Sequence, residues 1–314
     1  MKRIRIVSFV LIFCLLLGEA AYAAGGFCDV PESHWAYENI QKAASLGIIQ
    51  GYAPDAKGNV YFKPSGSVTV GAGYVMVQRT MVLLGLLSEA DPIESGTPAA
   101  ARVIIADYAA EKMEYPLSPM AALRYTDAGS IERADAFYLD ALYRYGIMQG
   151  YTDGSFGPQT TINRAQFAAI CIRMAELTRE EIAAQEVTNL VGTLGSVDAE
   201  GGEFVLTAED SEYRCLLADG AELYIDGALA DLGSLSACEG QSVCVGCIAG
   251  TNSVSVSTNM QIVKGQISDV MQHGDFLSFV CGGASYYADS SSLGTISEGT
   301  HSFVAEGTHI IEFK

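Results

Sequence analysis

Residues 27–52 read FCDVPESHWAYENIQKAASLGIIQGY and residues 145–158 read YGIMQGYTDGSFGP, so Gly-Ile-x-Gln-Gly-Tyr occurs at both 47–52 and 146–151. A phrase repeated at this distance points to one supersecondary unit used more than once. Around the first copy, Asp29 or Ser33 is placed to cap a helix that begins near His34. Trp35, Ile40, Ala43 and Ala44 fall at helical spacing, Gly47 stops the helix, and Gly51 allows a turn. A second helix is expected from Val68 to Leu87, with Ser65, Ser67 and Thr69 as cap candidates. The second copy keeps the order. A helix is expected from Ile131 to Tyr145, then the connector, a turn at Thr152-Asp153-Gly154, and a helix led by Ile162 with Asn163 as cap. Phe167, Ile170, Cys171 and Met174 form its inner face. Phe156-Gly157-Pro158 matches Phe62-Lys63-Pro64.

The first 24 residues read as a secretory leader. Lys2, Arg3 and Arg5 precede an apolar run from Ile6 to Leu17, and Ala21-Tyr22-Ala23 offers a cleavage site. That run is too short to span a membrane, so no membrane insertion is expected after cleavage. The chain carries a net charge of −19, and loss of Lys2, Arg3, Arg5 and Glu19 takes it to −21. Such a surface repels phosphate backbones and excludes nucleic acid as a partner class. Export permits disulfides, but the seven cysteines beyond the leader are an odd number, which leaves room for self-association.

The fold class expected is α + β multidomain: an N-terminal helical bundle, then small all-β, barrel-like units. The divisions are a leader at 1–24, a first module at 25–88, an irregular helical insertion or degenerate module at 89–124, and a second module at 125–180. A linker at 181–191 leads to a small β domain at 192–255 and a shorter β unit at 262–314. Short alternating runs such as Phe204-Val205-Leu206 and Ser242-Val243-Cys244-Val245 carry the β reading. Gly192–Val197 is echoed by Gly265–Val270, and Tyr213 by Tyr286 or Tyr287.

The helical half resembles the S-layer homology family. The carrying residues are Phe27-x-Asp29-Val30-Pro31, His34-Trp35-Ala36 and Gly47-Ile48-Ile49-x-Gly51-Tyr52. In the second copy they are Gly146 to Pro158 and Ile162-Asn163-Arg164-Ala165-Gln166-Phe167. The resemblance implies helix–turn–helix modules, usually three in a pseudo-threefold bundle, and an anionic secondary cell-wall polysaccharide as partner. It also implies a secreted protein held at the cell wall and surface. The family signature at the second helix is Thr-Arg-Ala-Glu. Here copy two keeps the Arg as Asn163-Arg164-Ala165-Gln166, while copy one reads Thr69-Val70-Gly71-Ala72.

Arg164 is the candidate polymer-binding cation, with Asn163 and Gln166 at the same helix start, because free N–H groups and a guanidinium fork both suit a carboxylate. Trp35 reads either as a sugar-stacking face or as a core anchor. Asp153 reads as a polymer contact or a turn residue. Cys244-x-x-Cys247 lies in a strand pattern with only Cys238 close by and the nearest His at 273, short of the four ligands a structural metal takes, so no metal and no cofactor are expected. No catalytic motif is present. The expected function is non-catalytic anchoring of a displayed β domain. The alternatives are an assembly protein that has lost polymer binding, and a carbohydrate-acting protein whose β half does the work.

Overall fold

The computed structural model describes residues 26–91, 96–184, 187–208, 211–258, 260–273, 276–289, 298–306 and 309–313; the expected leader lies outside them. The chain divides into two units. A helical unit takes the residues up to Tyr115 and again Ser130–Gln185, and a β unit takes Pro116–Gly129 and the residues from Glu186 onward.

The helical unit contains α1 (Tyr37–Ser45), α2 (Val70–Leu83), α3 (Arg102–Lys112), α4 (Arg133–Arg144), α5 (Arg164–Glu176) and the short α6 (Arg179–Ala184). Helix α1 packs on α5, α4 on α3, and α2 on both α3 and α5. Ile40 and Ala43 of α1 are buried, as are Phe167, Ile170, Cys171 and Met174 of α5. The Thr69 hydroxyl caps α2 by accepting from Ala72 N–H. Asn163 and Gln166 close a reciprocal capping box on α5, with bonds of 2.8 and 3.1 Å.

Three extended tripeptides lead into α2, α3 and α5, and they bridge one another in a ring: Ser67 with Asn163, Thr69 with Ala99, and Ala101 with Thr161. The backbone bonds repeat in step. Val70 N–H donates to Pro98 C=O, Arg102 N–H to Thr160 C=O, and Arg164 N–H to Gly66 C=O. The helical unit therefore has three equivalent helix starts, although the repeated phrase occurs twice. The 89–124 stretch supplies the third start through α3. Its last residues go elsewhere, because Met120–Leu123 forms β1 and pairs with a strand of the β unit.

Three local expectations change. Trp35 precedes α1 and is 64% exposed, so it is not a core anchor. Asp29 caps no helix; its carboxylate accepts from Phe62 and Lys63 N–H at 2.8 and 2.7 Å and pins the Phe62-Lys63-Pro64 turn. Gly51 is required for space rather than for turn geometry. A Cβ there would meet Val60 and Phe27 side-chain carbons within 3 Å. Among the connector glycines Gly47, Gly146 and Gly150 have positive φ, where L side chains are strained, while Gly51 does not.

In the β unit the strands are β2 (Val187–Asp198), β3 (Glu203–Ala208), β4 (Ser211–Leu217), β5 (Glu222–Ile225), β6 (Ala228–Ala230), β7 (Ser242–Ile248) and β8 (Ser253–Ser257). With β1 they form a sheet in the order β1-β4-β3-β2-β7-β8-β5-β6. This sheet is open, so the barrel-like expectation fails for the first β region, and pairing begins at Val187, inside the expected 181–191 linker. Its edge is completed by β1, recruited from before the second helical repeat. Such a recruitment leaves no trace in local periodicity. Met120, Leu194, Phe204, Tyr213, Val243 and Cys247 share its core.

The second β region holds β9 (Met260–His273), β10 (Phe276–Cys281), β11 (Ala284–Asp289), β12 (Gly299–Glu306) and β13 (His309–Phe313). They pair in the closed order β10-β11-β13-β12-β9, with β11 and β13 joined by the Tyr287–His309 pair. The sequence echo has a structural counterpart. Strands β2 and β9 each carry a bulge shortly after Leu194 and Ile267, respectively. Tyr213 and Tyr286 are both 8% exposed.

Candidate functional site

Each Gly-Ile-x-Gln-Gly-Tyr connector lines a cleft with the helix that follows it and with an arginine from a different helix start. The first cleft, about 210 Å³, is lined by Gln50, Gly51 and Tyr52, by Ala72, Met76 and Arg79 of α2, and by Arg164 of α5. The second, about 200 Å³, is lined by Gln149, Gly150 and Tyr151, by Gln166, Ile170 and Arg173 of α5, and by Arg102 of α3; Trp35 stands at its side. Position by position, Arg79 corresponds to Arg173, and Arg164 to Arg102. The ring of helix starts explains the exchange, since each start is seated against the turn of a neighbouring repeat and delivers its first residue there.

Each guanidinium lies on an equivalent pair of aromatic rings, one Tyr and one Phe. Arg164 sits 5.0 Å from the Tyr52 ring centre and 4.5 Å from that of Phe62. Arg102 sits 4.4 Å from Tyr151 and 4.8 Å from Phe156. This stacking holds a cation in the cleft without consuming its hydrogen bonds. The two differ in what else they do. Arg164 donates Nε to Phe62 C=O and Nη2 to Gln50 C=O, both at 2.8 Å. Arg102 is 7% exposed, and its buried Nε has no hydrogen-bond partner among the described residues.

Further groups tune each cleft. Burial pushes the Arg164 and Arg79 guanidiniums below the usual arginine range, which makes an incoming anion more welcome. Lys63 Nζ lies 4.2 Å from the Tyr52 ring centre. Lys63 holds φ of +58°, where its counterpart Gly157 holds +67°. Burial raises the Tyr151 phenol, but hydrogen bonds from Thr160 and Arg102 outweigh it, so the net shift is downward. Arg173 donates to Ile147 C=O at 2.9 Å and braces the second connector.

The third start breaks the pattern. Val70 stands where the other two clefts have arginine, and Glu111 of α3 stands at the position of Arg79 and Arg173. Ile104 is 41% exposed at the position of Ala72 and Gln166. A face that exchanges its cations for an acid and an aliphatic side chain has no attraction for anions.

The residues singled out from sequence are thus divided. Arg164 is in the first cleft, whereas Gln166 and Trp35 line the second. The Asn163 side chain is occupied by its cap. Asp153 lines neither cleft and accepts from Ser155 N–H and Oγ within its own turn. Sequence reading missed Arg102, because its stretch lacks the connector phrase. The available signal was Ala99-Ala100-Ala101-Arg102 set against Thr161-Ile162-Asn163-Arg164. Cys244 and Cys247 lie three positions apart on β7 and so face opposite sides of the sheet. Cys247 meets Ser118 Oγ at 3.0 Å, and Cys244 packs by Val191 and Met260. Among the described residues no group of His, Cys, Asp and Glu is placed to hold a metal, and no helix is long and apolar enough to cross a membrane.

Residues 26–69 and 124–168 match the S-layer homology domain. Over 170 residues, 53% of this chain, the sequence is 26% identical to Cell surface glycoprotein 1 of Acetivibrio thermocellus; the match spans 6% of that protein's length.

Proposed function

Because the chain is an S-layer homology domain protein, we propose that it is a cell-surface protein whose helical unit docks on an anionic secondary cell-wall polysaccharide, and that the two arginine clefts are the docking points. The observation that carries this reading is the paired construction of the clefts. Two different helix starts deliver a stacked, largely buried guanidinium to the same connector motif. One of them keeps a buried donor that an anionic sugar substituent satisfies. An isolated buried charge is costly, and a carboxylate offers it a charge-assisted bond. Trp35, exposed beside the second cleft, supplies an apolar face for a sugar ring.

The β unit is read as a displayed, non-catalytic module. Its loop acids are engaged in structure: Asp231 accepts from Ser234 and Asp198 from Gly201 within their own turns, and Asp226 accepts from Thr258, 32 residues on. The test is retention of the full chain on purified wall sacculi before and after chemical removal of the acidic polymer. Retention on the intact wall and loss on the stripped wall is expected. Equal retention on both would overturn the reading.

A further inference from the structure

In each cleft one arginine is tied to backbone carbonyls and the other is not, and the tied position differs between the two. In the first cleft the helix-start Arg164 donates to Phe62 and Gln50 C=O, and the charge of Asp29 acts on it as well. Arg79 of α2 lines the same cleft. It makes no hydrogen bond, ion pair or ring contact among the described residues, and burial is all that acts on its guanidinium. In the second cleft the order is reversed. Arg173, at the position of Arg79, donates to Ile147 C=O, while the helix-start Arg102 keeps its buried Nε without a partner among the described residues.

Arg79 is half-buried beside Met76 and Tyr52, in a lining that contains no acid. A cation so placed has given up part of its hydration without gaining a counter-ion. All its N–H donors remain, in the planar fork that matches the two oxygens of a carboxylate. Arg164 cannot offer that fork whole, because Nε and Nη2 are spent on two different carbonyls. We propose that Arg79 is the ligand-contacting guanidinium of the first cleft, taking a carboxylate, and that Arg164 is a positioning residue that joins the connector to the Phe62 turn and so shapes the cleft. The proposal rests on the polymer reading for the source of the carboxylate, and not for the contact itself. The contact then comes from the body of a helix in the first cleft and from a helix start in the second. In the first cleft the signature arginine marks the brace.

The test uses the full chain. A dicarbonyl reagent closes a ring across the two Nη atoms of a guanidinium. At mildly alkaline pH, peptide mass spectrometry should therefore show Arg79 modified about tenfold or more faster than Arg164, whose Nη2 is held by Gln50 C=O. Concentrated acetate, against chloride at equal ionic strength, should slow the modification of Arg79 and leave that of Arg164 unchanged. Equal rates at the two arginines, or no protection by acetate, overturns the contact. Polymer docking is read on sacculi in an Arg102→Ala background, where the first cleft alone remains. Adding Arg79→Gln should remove the remaining retention with the melting temperature unchanged, because no bond is lost and Gln suits a helix. Unchanged retention overturns the docking role of Arg79. Arg79→Lys, which keeps the charge without the fork, should restore only part of the retention; full recovery would overturn the role of the fork. A wild type that fails on sacculi while acetate protects Arg79 would overturn the polymer reading alone.

Discussion

At the scale of single residues, the clefts assign unequal work to two arginines. Arg164 spends two of its donors on backbone carbonyls, Gln50 of the first connector and Phe62 of the turn after it, so part of its role is structural. Arg102 has a buried donor left over. Arg102→Ala should therefore weaken wall retention more than Arg164→Ala, by roughly tenfold or more for one lost charge-assisted bond. Arg164→Ala should lower the melting temperature more. Lys63 offers a sharper separation. It occupies a left-handed backbone conformation that its counterpart fills with glycine, so Lys63→Gly should stabilise the unit by about 1 kcal/mol while weakening polymer binding. Calorimetry and retention on the same sample would check both signs; a loss of stability would contradict the equivalence of the two turns. Cys171 gives a third readout. Burial pushes its thiol up to about 12, so near pH 8 it should resist alkylation in the native chain while exposed Cys28 reacts. Of these residues, Arg164 was legible in the sequence because it follows a connector phrase and stands at the Arg of the signature that the second copy keeps. Arg102 was not, since the neighbours that define it are distant in the chain.

At the scale of elements, helix spans were legible to within a turn because caps and stops are local chemistry. Thr69 and Asn163 were readable as caps, and both cap. Asn163→Ala should cost about 1 kcal/mol, measurable by denaturant unfolding; no loss would mean that Gln166 holds the start alone. The connectors were readable as structural, but the reason at Gly51 was not. Phe27 and Val60 close on it from elsewhere in the module, and close approach is a tertiary fact. Gly51→Ala should destabilise by about 1–3 kcal/mol through overpacking, whereas Gly51 replaced for turn geometry alone would cost less. The ring of helix starts was likewise hidden. Its bridges join residues about 30 to 96 positions apart, and one of its three members has lost the motif that marks the others.

At the scale of the whole molecule, the α + β division was legible from composition, while the division of the chain was not. Residues 116–129 leave the helical unit to complete the open sheet. A fragment ending near residue 180 would therefore strip β1 from β4 and expose Met120 and Leu123. Anchoring is properly measured on the full chain for this reason. The net charge of −19 gives a further expectation. The chain and the anionic polymer proposed as its partner would repel at long range, and salt screens that repulsion. The association rate with soluble wall polymer should rise between low and physiological ionic strength. A fall would mean that the clefts, and not the global charge, govern encounter. The most direct test of the central claim is retention of four full-length chains on intact sacculi: wild type, Arg102→Ala, Arg164→Ala and the double variant. Two working clefts predict partial loss in each single variant, larger for Arg102→Ala, and complete loss in the double. Retention of the double variant at the wild-type level would show that the arginine clefts do not hold the polymer.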